Sequence, residues 1–210
     1  MRFIFLAFAV VLASCSGGNS QPAAPSFYQP PKGQWADFGT STGSEIVGAI
    51  SNPFQIAARP SSNNMLYAQP PAPLAIGKTI TLDYSINGNA TLGVADPKDI
   101  PPATIDFFIW ERGDNLSGVG QYEFYRWLAP SGTCKRNLVI GDHNIVSCKI
   151  DLTWISVFGK PASSNPQAFQ QALSNAFAVG FGLGGQYFAA HGVWTASGSA
   201  TFKINSFTVQ

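Results

Sequence analysis

Charged side chains are scarce in this chain: Asp, Glu, Lys and Arg make up 11% of its 210 residues, and the net charge is +1. An average soluble domain carries about 25% charged residues. The chain has no excess of basic residues, so a nucleic-acid-binding surface is not expected. Only two histidines are present, His143 and His191, and no closely spaced cysteine pair occurs. We therefore predict no metal site and no cofactor.

Long apolar runs are also lacking, except for one at the N-terminus. Met1-Arg2 is followed by eleven uncharged, mostly apolar residues at positions 3–13. A membrane-spanning helix needs about 20 such residues, whereas a secretory signal needs fewer. The run ends in Leu12-Ala13-Ser14-Cys15, which resembles the lipobox of bacterial lipoproteins. The resemblance implies that residues 1–14 are removed and that Cys15 is lipidated; an ordinary secretory signal is the alternative.

The resemblance also implies a place in the cell. Ser16 rather than Asp follows Cys15, which in enterobacterial lipoproteins favours the outer membrane, so we expect a lipid-anchored envelope protein facing the periplasm or the cell surface. Removing Arg2 with the leader leaves 11 basic and 11 acidic residues. A neutral protein gains little from anionic headgroups, so attachment must come from the acyl chains.

The mature chain divides into two parts by composition. Residues 15–34 are rich in Gly, Ser, Pro and Gln without apolar periodicity, which predicts a tether. Residues 35–210 have the length of one domain, and no second linker or internal repeat is evident. We therefore expect a single folded domain held off the membrane.

Most local patterns in that domain are those of strands. Residues 79–86, 103–112, 121–128 and 200–209 alternate in polarity or are rich in aromatic and β-branched residues. One short helix is predicted near 166–177, with Asn165 as its cap and a proline at its first position. Many short strands and a single helix predict an all-β fold, an antiparallel, jelly-roll-like β-sandwich.

Two cysteines remain once Cys15 is assigned to lipid. Cys134 and Cys148 lie 14 residues apart, and the exported compartment is oxidising. We predict a disulfide between them; two buried free thiols are the alternative.

The most informative feature for function is an aromatic excess on two predicted strands. If the side chains of Phe107 and Ile109 point into the core, a period of two puts Trp110 and Arg112 on the outer face. Tyr125 and Trp127 share one face of the next strand, so Trp110, Arg112, Tyr125 and Trp127 are the predicted ligand-binding residues. Aromatic rings beside polar groups suit sugar recognition. The alternative is that a helix and loops bury both faces of the sheet.

A catalytic pair is the weaker hypothesis. Glu111 and Glu123 are two of the three glutamates of the mature chain, and paired carboxylates can hydrolyse glycosidic bonds. Salt bridges to Arg112 or Arg126 are the simpler explanation of these carboxylates, so we expect no catalytic activity. An envelope glycoside hydrolase or lyase is the alternative.

Residues 154–209 resemble galactose-binding-like and carbohydrate-binding jelly rolls. The residues that carry this resemblance are Trp154–Gly159, the helix with Phe169 and Leu173, Val179-Gly180-Phe181, Gly192-Val193 and Ala200–Ile204. It implies a non-catalytic domain that binds a glycan or another envelope ligand. A structural lipoprotein that contacts an envelope protein is a further alternative.

Overall fold

The computed structural model describes residues 28–41, 44–58, 60, 63–187 and 190–210. The lipobox and most of the predicted tether lie outside these residues. The strands are β1 (Trp35–Ser41), β2 (Ser44–Ile50), β3 (Phe54–Gln55), β4 (Asn63–Ala68), β5 (Thr79–Gly88), β6 (Thr91–Val94), β7 (Thr104–Glu111), β8 (Arg126–Leu128), β9 (Arg136–Asn137), β10 (Gly141–Lys149), β11 (Ile155–Ser156), β12 (Ala176–Gly184), β13 (Val193–Ser197) and β14 (Ala200–Val209). One α-helix, α1 (Pro166–Ser174), lies among them.

These strands form two main antiparallel sheets and a small ribbon. The larger sheet has the order β11-β8-β7-β12-β4-β1-β2, with β9 also paired to β7. The smaller sheet has the order β10-β5-β14-β3, and β13 pairs with β6 in the ribbon. Residues of both main sheets share one buried apolar core. The predicted all-β antiparallel sandwich is confirmed.

The core forms where the alternating faces of the two sheets meet. On β5 the side chains of Ile80, Leu82, Tyr84 and Ile86 are all buried, as the period of two predicts. The Phe202 ring of β14 lies 5.0 Å from the Tyr84 ring and 5.5 Å from the Phe181 ring across the sandwich. Aromatic stacking therefore joins the sheets through their middle.

The larger sheet also buries part of its outer face. We call the following residues the outer cluster: Ala36, Phe38, Tyr67, Phe108, Trp110, Phe177 and Ala178. All eight residues of β7 are buried, which requires cover on both faces of this strand.

Two local predictions need correction. The helix ends at Ser174 rather than near residue 177, because Ala176 and Phe177 already belong to β12. Residues 121–128 are not one strand: a 3-10 helix occupies Gly120–Phe124, and only Arg126–Leu128 is extended. Gly113 and Gly118 in the loop before this 3-10 helix, and Gly120 at its first position, have φ of +89°, +64° and +63°, which turns the chain before strand pairing resumes at Arg126.

The cysteine prediction is confirmed: Cys134 and Cys148 form a disulfide. Both are buried in the main core, where the bridge joins β10 to the loop before β9. In the described part of the chain, no helix is long and apolar enough to cross a membrane.

Candidate functional site

Trp127 is a core residue. It is opposite Ile109 in the β7–β8 register, so its side chain points into the sandwich with that of Ile109. It is fully buried, its ring lies 4.8 Å from the Phe169 ring of α1, and its indole N–H donates to the Phe124 carbonyl over 2.6 Å. An indole with its N–H satisfied and no exposed surface offers nothing to a ligand.

Trp110 lies on the opposite side of the larger sheet. It is fully buried in the outer cluster, 5.0 Å from the Phe38 ring, and its indole N–H donates to Asp114 Oδ2 over 2.8 Å. The same Asp114 oxygen lies 2.8 Å from Arg126 Nε. The prediction that Trp110 and Trp127 contribute to one outer binding surface is therefore wrong, because the two rings lie on opposite faces of the larger sheet. The alternative prediction, that both faces of this sheet are buried, describes these two tryptophans.

The other two predicted binding residues are partly accessible. Tyr125 follows the 3-10 helix rather than lying within a strand, and its ring is 5.0 Å from the Tyr122 ring. Arg112 is exposed and donates to Gln29 Oε1 over 3.3 Å. Whether either residue binds a ligand stays a prediction.

Glu111 is held by the helix. It is buried, and its Oε1 accepts hydrogen bonds from Gln171 over 2.9 Å and from Asn175 over 3.3 Å. Glu123 lies in the 3-10 helix and is half-buried. These contacts explain why a carboxylate stands at the end of β7: it fixes α1 against the sheet. Catalysis by the pair stays untested.

A cleft of about 300 Å³ lies where one side of β14 faces β1 and β4. The strand β3 pairs only with Thr201 and Phe202 of β14, so in the described chain the later part of this edge has no strand partner. The residues that line the cleft are Lys32, Gly33, Trp35, Asn52, Ala68, Gln69, Pro71, Ile204, Asn205, Ser206 and Phe207. Its size is at the lower end of small-molecule sites, about 300–1,000 Å³.

Asn52 closes the inner end of this open edge. Its Nδ2 donates to the Ile204 carbonyl over 2.8 Å, and its Oδ1 accepts from the Ile204 N–H over 2.8 Å. The side chain thus replaces one residue of a missing strand. Asn52 pairs only with Ile204, so the edge of β14 beyond Ile204 stays open beside the cleft.

Three other neutral polar side chains line the cleft. Gln69 Nε2 donates to the Pro30 carbonyl, and Asn205 Nδ2 donates to Asp83 and Ser85. Among the described residues, no hydrogen bond engages Gln69 Oε1, Asn205 Oδ1 or the Ser206 hydroxyl. Two positioned acceptors and one free hydroxyl therefore remain for a ligand.

An aromatic pair forms the apolar part of the cleft. The rings of Trp35 and Phe207 meet edge to face with centroids 5.1 Å apart, and Trp35 also contacts Phe181 in the core at 5.3 Å. Trp35 is almost buried and Phe207 is half-buried. A ligand would thus meet a mostly buried Trp35 and a half-buried Phe207, not a wide stacking surface.

Charge in the cleft is limited to one lysine. Among the described lining residues, Lys32 is the single charged side chain, and no carboxylate, histidine or cysteine is present. No group of three or more potential metal ligands occurs in the described residues. The cleft is equipped to bind a largely neutral, polar molecule.

Two carboxyls elsewhere in the larger sheet, Asp106 and Asp37, have pKa values above the ordinary range. Burial raises the pKa of Asp106 to about 7, although Lys135 and the Phe107 N–H oppose the shift. Burial also raises the pKa of Asp37 to about 6, and its Oδ1 is buried with no hydrogen-bond partner. Neither residue lines the cleft, so these carboxyls affect stability rather than recognition.

Sequence reasoning missed the cleft because its walls come from four separate segments. Residues 32–35, 52, 68–71 and 204–207 meet only after both sheets have formed. No motif connects them. The sequence features that could have indicated the cleft were Trp35 at the predicted start of the domain and the amide of Asn205 in the last strand.

Comparison with known proteins gives little further identification. No protein-family model matches the chain, and no curated protein matches its sequence. A solved structure described as "xylan-binding module CBM15" is similar to 82% of this chain and 92% of its own, with a TM-score of 0.42 and 13% identity. At this level the likeness identifies no binding residue.

Proposed function

We propose that this protein is an exported bacterial lipoprotein, anchored through Cys15, whose β-sandwich binds a glycan without transforming it. Anchoring rests on the sequence Leu12-Ala13-Ser14-Cys15 after a short apolar run. Binding rests on the cleft beside β14. The two parts are independent and are tested separately.

The observation that carries glycan binding is the chemistry of the cleft wall. Gln69 and Asn205, each with a free acceptor, and Ser206, with a free hydroxyl, line the cleft together with Trp35 and Phe207. Sugars present hydroxyl groups around a ring with apolar C–H faces, so neutral amides beside aromatic carbon match them. Because the described lining residues include no acid–base pair, we assign binding and not catalysis to the cleft.

Ser206 is the best position for testing the cleft, because it is exposed on the wall and no hydrogen bond holds its hydroxyl in the described structure. The probe is a panel of xylo-, cello-, manno- and chitin oligosaccharides and peptidoglycan fragments, measured by calorimetry. Ser206→Trp should fill the cleft and abolish binding. Ser206→Ala should weaken it about 2–10-fold, the loss of one neutral hydrogen bond.

A matched control separates this effect from a change in folding. Ser163 is an exposed serine on the 3-10 helix before α1, remote from the cleft lining. Ser163→Trp should bind glycan like the unaltered protein, and all variants should melt at similar temperatures. Absence of binding to every member of the panel, or full binding by Ser206→Trp, would refute the proposed site.

Cys15→Ala tests the anchor. We expect the unaltered protein in the membrane fraction, with diacylglycerol on its first residue by mass spectrometry. The variant should accumulate as an unprocessed or mislocalised precursor, because the lipid-accepting thiol is gone. Normal processing of Cys15→Ala to a membrane-bound form would show that the motif is incidental.

A further inference from the structure

The two outer faces of the sandwich differ in chemistry. The outer face of the smaller sheet carries polar pairs beside one exposed apolar residue, Ile145: Thr81 and Ser147 share a hydrogen bond of 2.9 Å, and His143 Nδ1 lies 3.0 Å from Asp83 Oδ2. Hydrogen bonds from Asn205 and His143 lower the pKa of Asp83, which keeps it charged. The larger sheet instead carries the apolar outer cluster.

The apolar character of the larger sheet continues to an exposed margin. In register, Ile155 is opposite Leu128, and Leu128 is opposite Phe108 of the outer cluster. We call Val119, Ile155, Val157 and Phe158 the margin strip; each is exposed, Val119 to 72% and Phe158 to 47%.

Two contacts hold the parts of the margin strip together. A Cβ at Gly118 would collide with the Phe158 ring, so the loop before Val119 lies directly on that ring. The Arg126 guanidinium carbon is 5.4 Å from the centre of the same ring. The loop that carries Val119 thus meets the Phe158 ring, and Ile155 and Val157 lie just before Phe158 in the chain.

The N-terminal segment of the described chain lies on this same face. The Tyr67 hydroxyl, part of the outer cluster, donates to the Tyr28 carbonyl over 2.6 Å. Burial and the neighbouring Asp37 raise the pKa of Tyr67, so the phenol keeps the proton it donates. Arg112, which donates to Gln29, begins the loop that leads to Val119.

Chain length relates this face to the proposed anchor. Thirteen peptide links separate Cys15 from Tyr28. Thirteen residues span at most about 45 Å when fully extended. A domain of residues 35–210 has a radius of gyration of about 16 Å and is roughly 40 Å across. Reaching around the domain would use nearly the whole extended length of this segment, so the face that carries Tyr28 is favoured to lie toward the membrane.

We infer that the margin strip is a membrane-contact surface that lies at the headgroup level of the bilayer. The inference rests on the proposed acylation of Cys15 and adds an orientation to it. Apolar and aromatic side chains partition to this interface, and the exposed cations Arg112 and Lys160 can reach lipid phosphates beside it. The strip supplements the acyl chains and holds the polar face of the smaller sheet toward the aqueous side.

Spin labels at two matched positions test this orientation. Val119→Cys places a nitroxide in the strip, and Ile145→Cys places one at an equally exposed apolar residue, 68% accessible, on β10 of the smaller sheet. The acylated mature protein is reconstituted in vesicles of phosphatidylethanolamine and phosphatidylglycerol. Collision with oxygen, which concentrates in lipid, is compared with collision with a water-soluble nickel complex.

The oxygen-to-nickel collision ratio should be several-fold higher at residue 119 than at residue 145. Equal, water-like ratios in protein that floats with the vesicles would overturn the membrane contact while leaving the anchor intact. Dipolar broadening at residue 119 that grows with protein density, without a raised ratio, would also overturn it, because the strip would then face a second copy. Acylated protein that fails to float would refute the anchor and this inference together.

Discussion

Replacing Trp127 with alanine should lower the free energy of unfolding by about 3–5 kcal/mol, as for other buried tryptophans. The residue is fully buried between β8 and α1, and its indole N–H donates to the Phe124 carbonyl. Removing the ring leaves a cavity beside Phe169 and an unpaired carbonyl, two costs that add. Urea unfolding followed by circular dichroism measures the effect.

Tyr187→Ala is the control for this experiment. Its side chain is 68% exposed, so its removal should change the free energy of unfolding by less than about 0.5 kcal/mol. If Trp127→Ala were equally neutral but weakened glycan binding, Trp127 would be a ligand contact and the core would be wrongly assigned. The structure predicts the opposite.

Replacing Asp106 with asparagine should remove a large pH dependence of stability. Burial raises the pKa of Asp106 to about 7 from an ordinary value of 3.8. Between about pH 4 and pH 7 the folded protein therefore holds a proton that the unfolded chain has released. Stability falls as pH rises through this window, by up to about 4 kcal/mol for a shift of about three units.

Asparagine keeps an oxygen that can accept the Phe107 N–H, but it cannot ionise. Asp106→Asn should therefore be more stable than the unaltered protein above pH 7 and similar near pH 4. The comparison uses urea unfolding at pH 4, 5.5, 7 and 8.5. Asp37, whose pKa is also raised, contributes equally to both proteins and so cancels from the difference. Parallel stability curves for the two proteins would show that Asp106 does not titrate as described.

The sequence predicted those features that depend on local pattern. The alternation along residues 79–86 correctly placed Ile80 and Leu82 in the core, and the proline after Asn165 marked the start of the helix. Cysteine spacing and the expected export to an oxidising compartment led to the predicted disulfide. In each case a few neighbouring residues hold the necessary physical information.

Features that depend on pairing between distant segments were missed. Trp110 was correctly placed opposite in sense to Ile109, but the register that sets Trp127 against Ile109 arises from a glycine-rich loop and a 3-10 helix. Because of that register, the Trp127 ring lies in the core and not on the surface as predicted. The cleft also has no local signal, because β14 has an open edge only by virtue of the short β3.

The most direct test of the central claim is a two-dimensional ¹H–¹⁵N NMR titration with the tightest-binding oligosaccharide of the panel. Binding in the cleft should shift the side-chain amides of Gln69 and Asn205, the Ser206 backbone amide and the Trp35 indole signal. The Trp127 and Trp110 indole signals, both buried away from the cleft, should stay in place. Shifts centred on Tyr125 and Arg112, with the cleft signals unmoved, would contradict the proposed site and return recognition to the other end of the larger sheet.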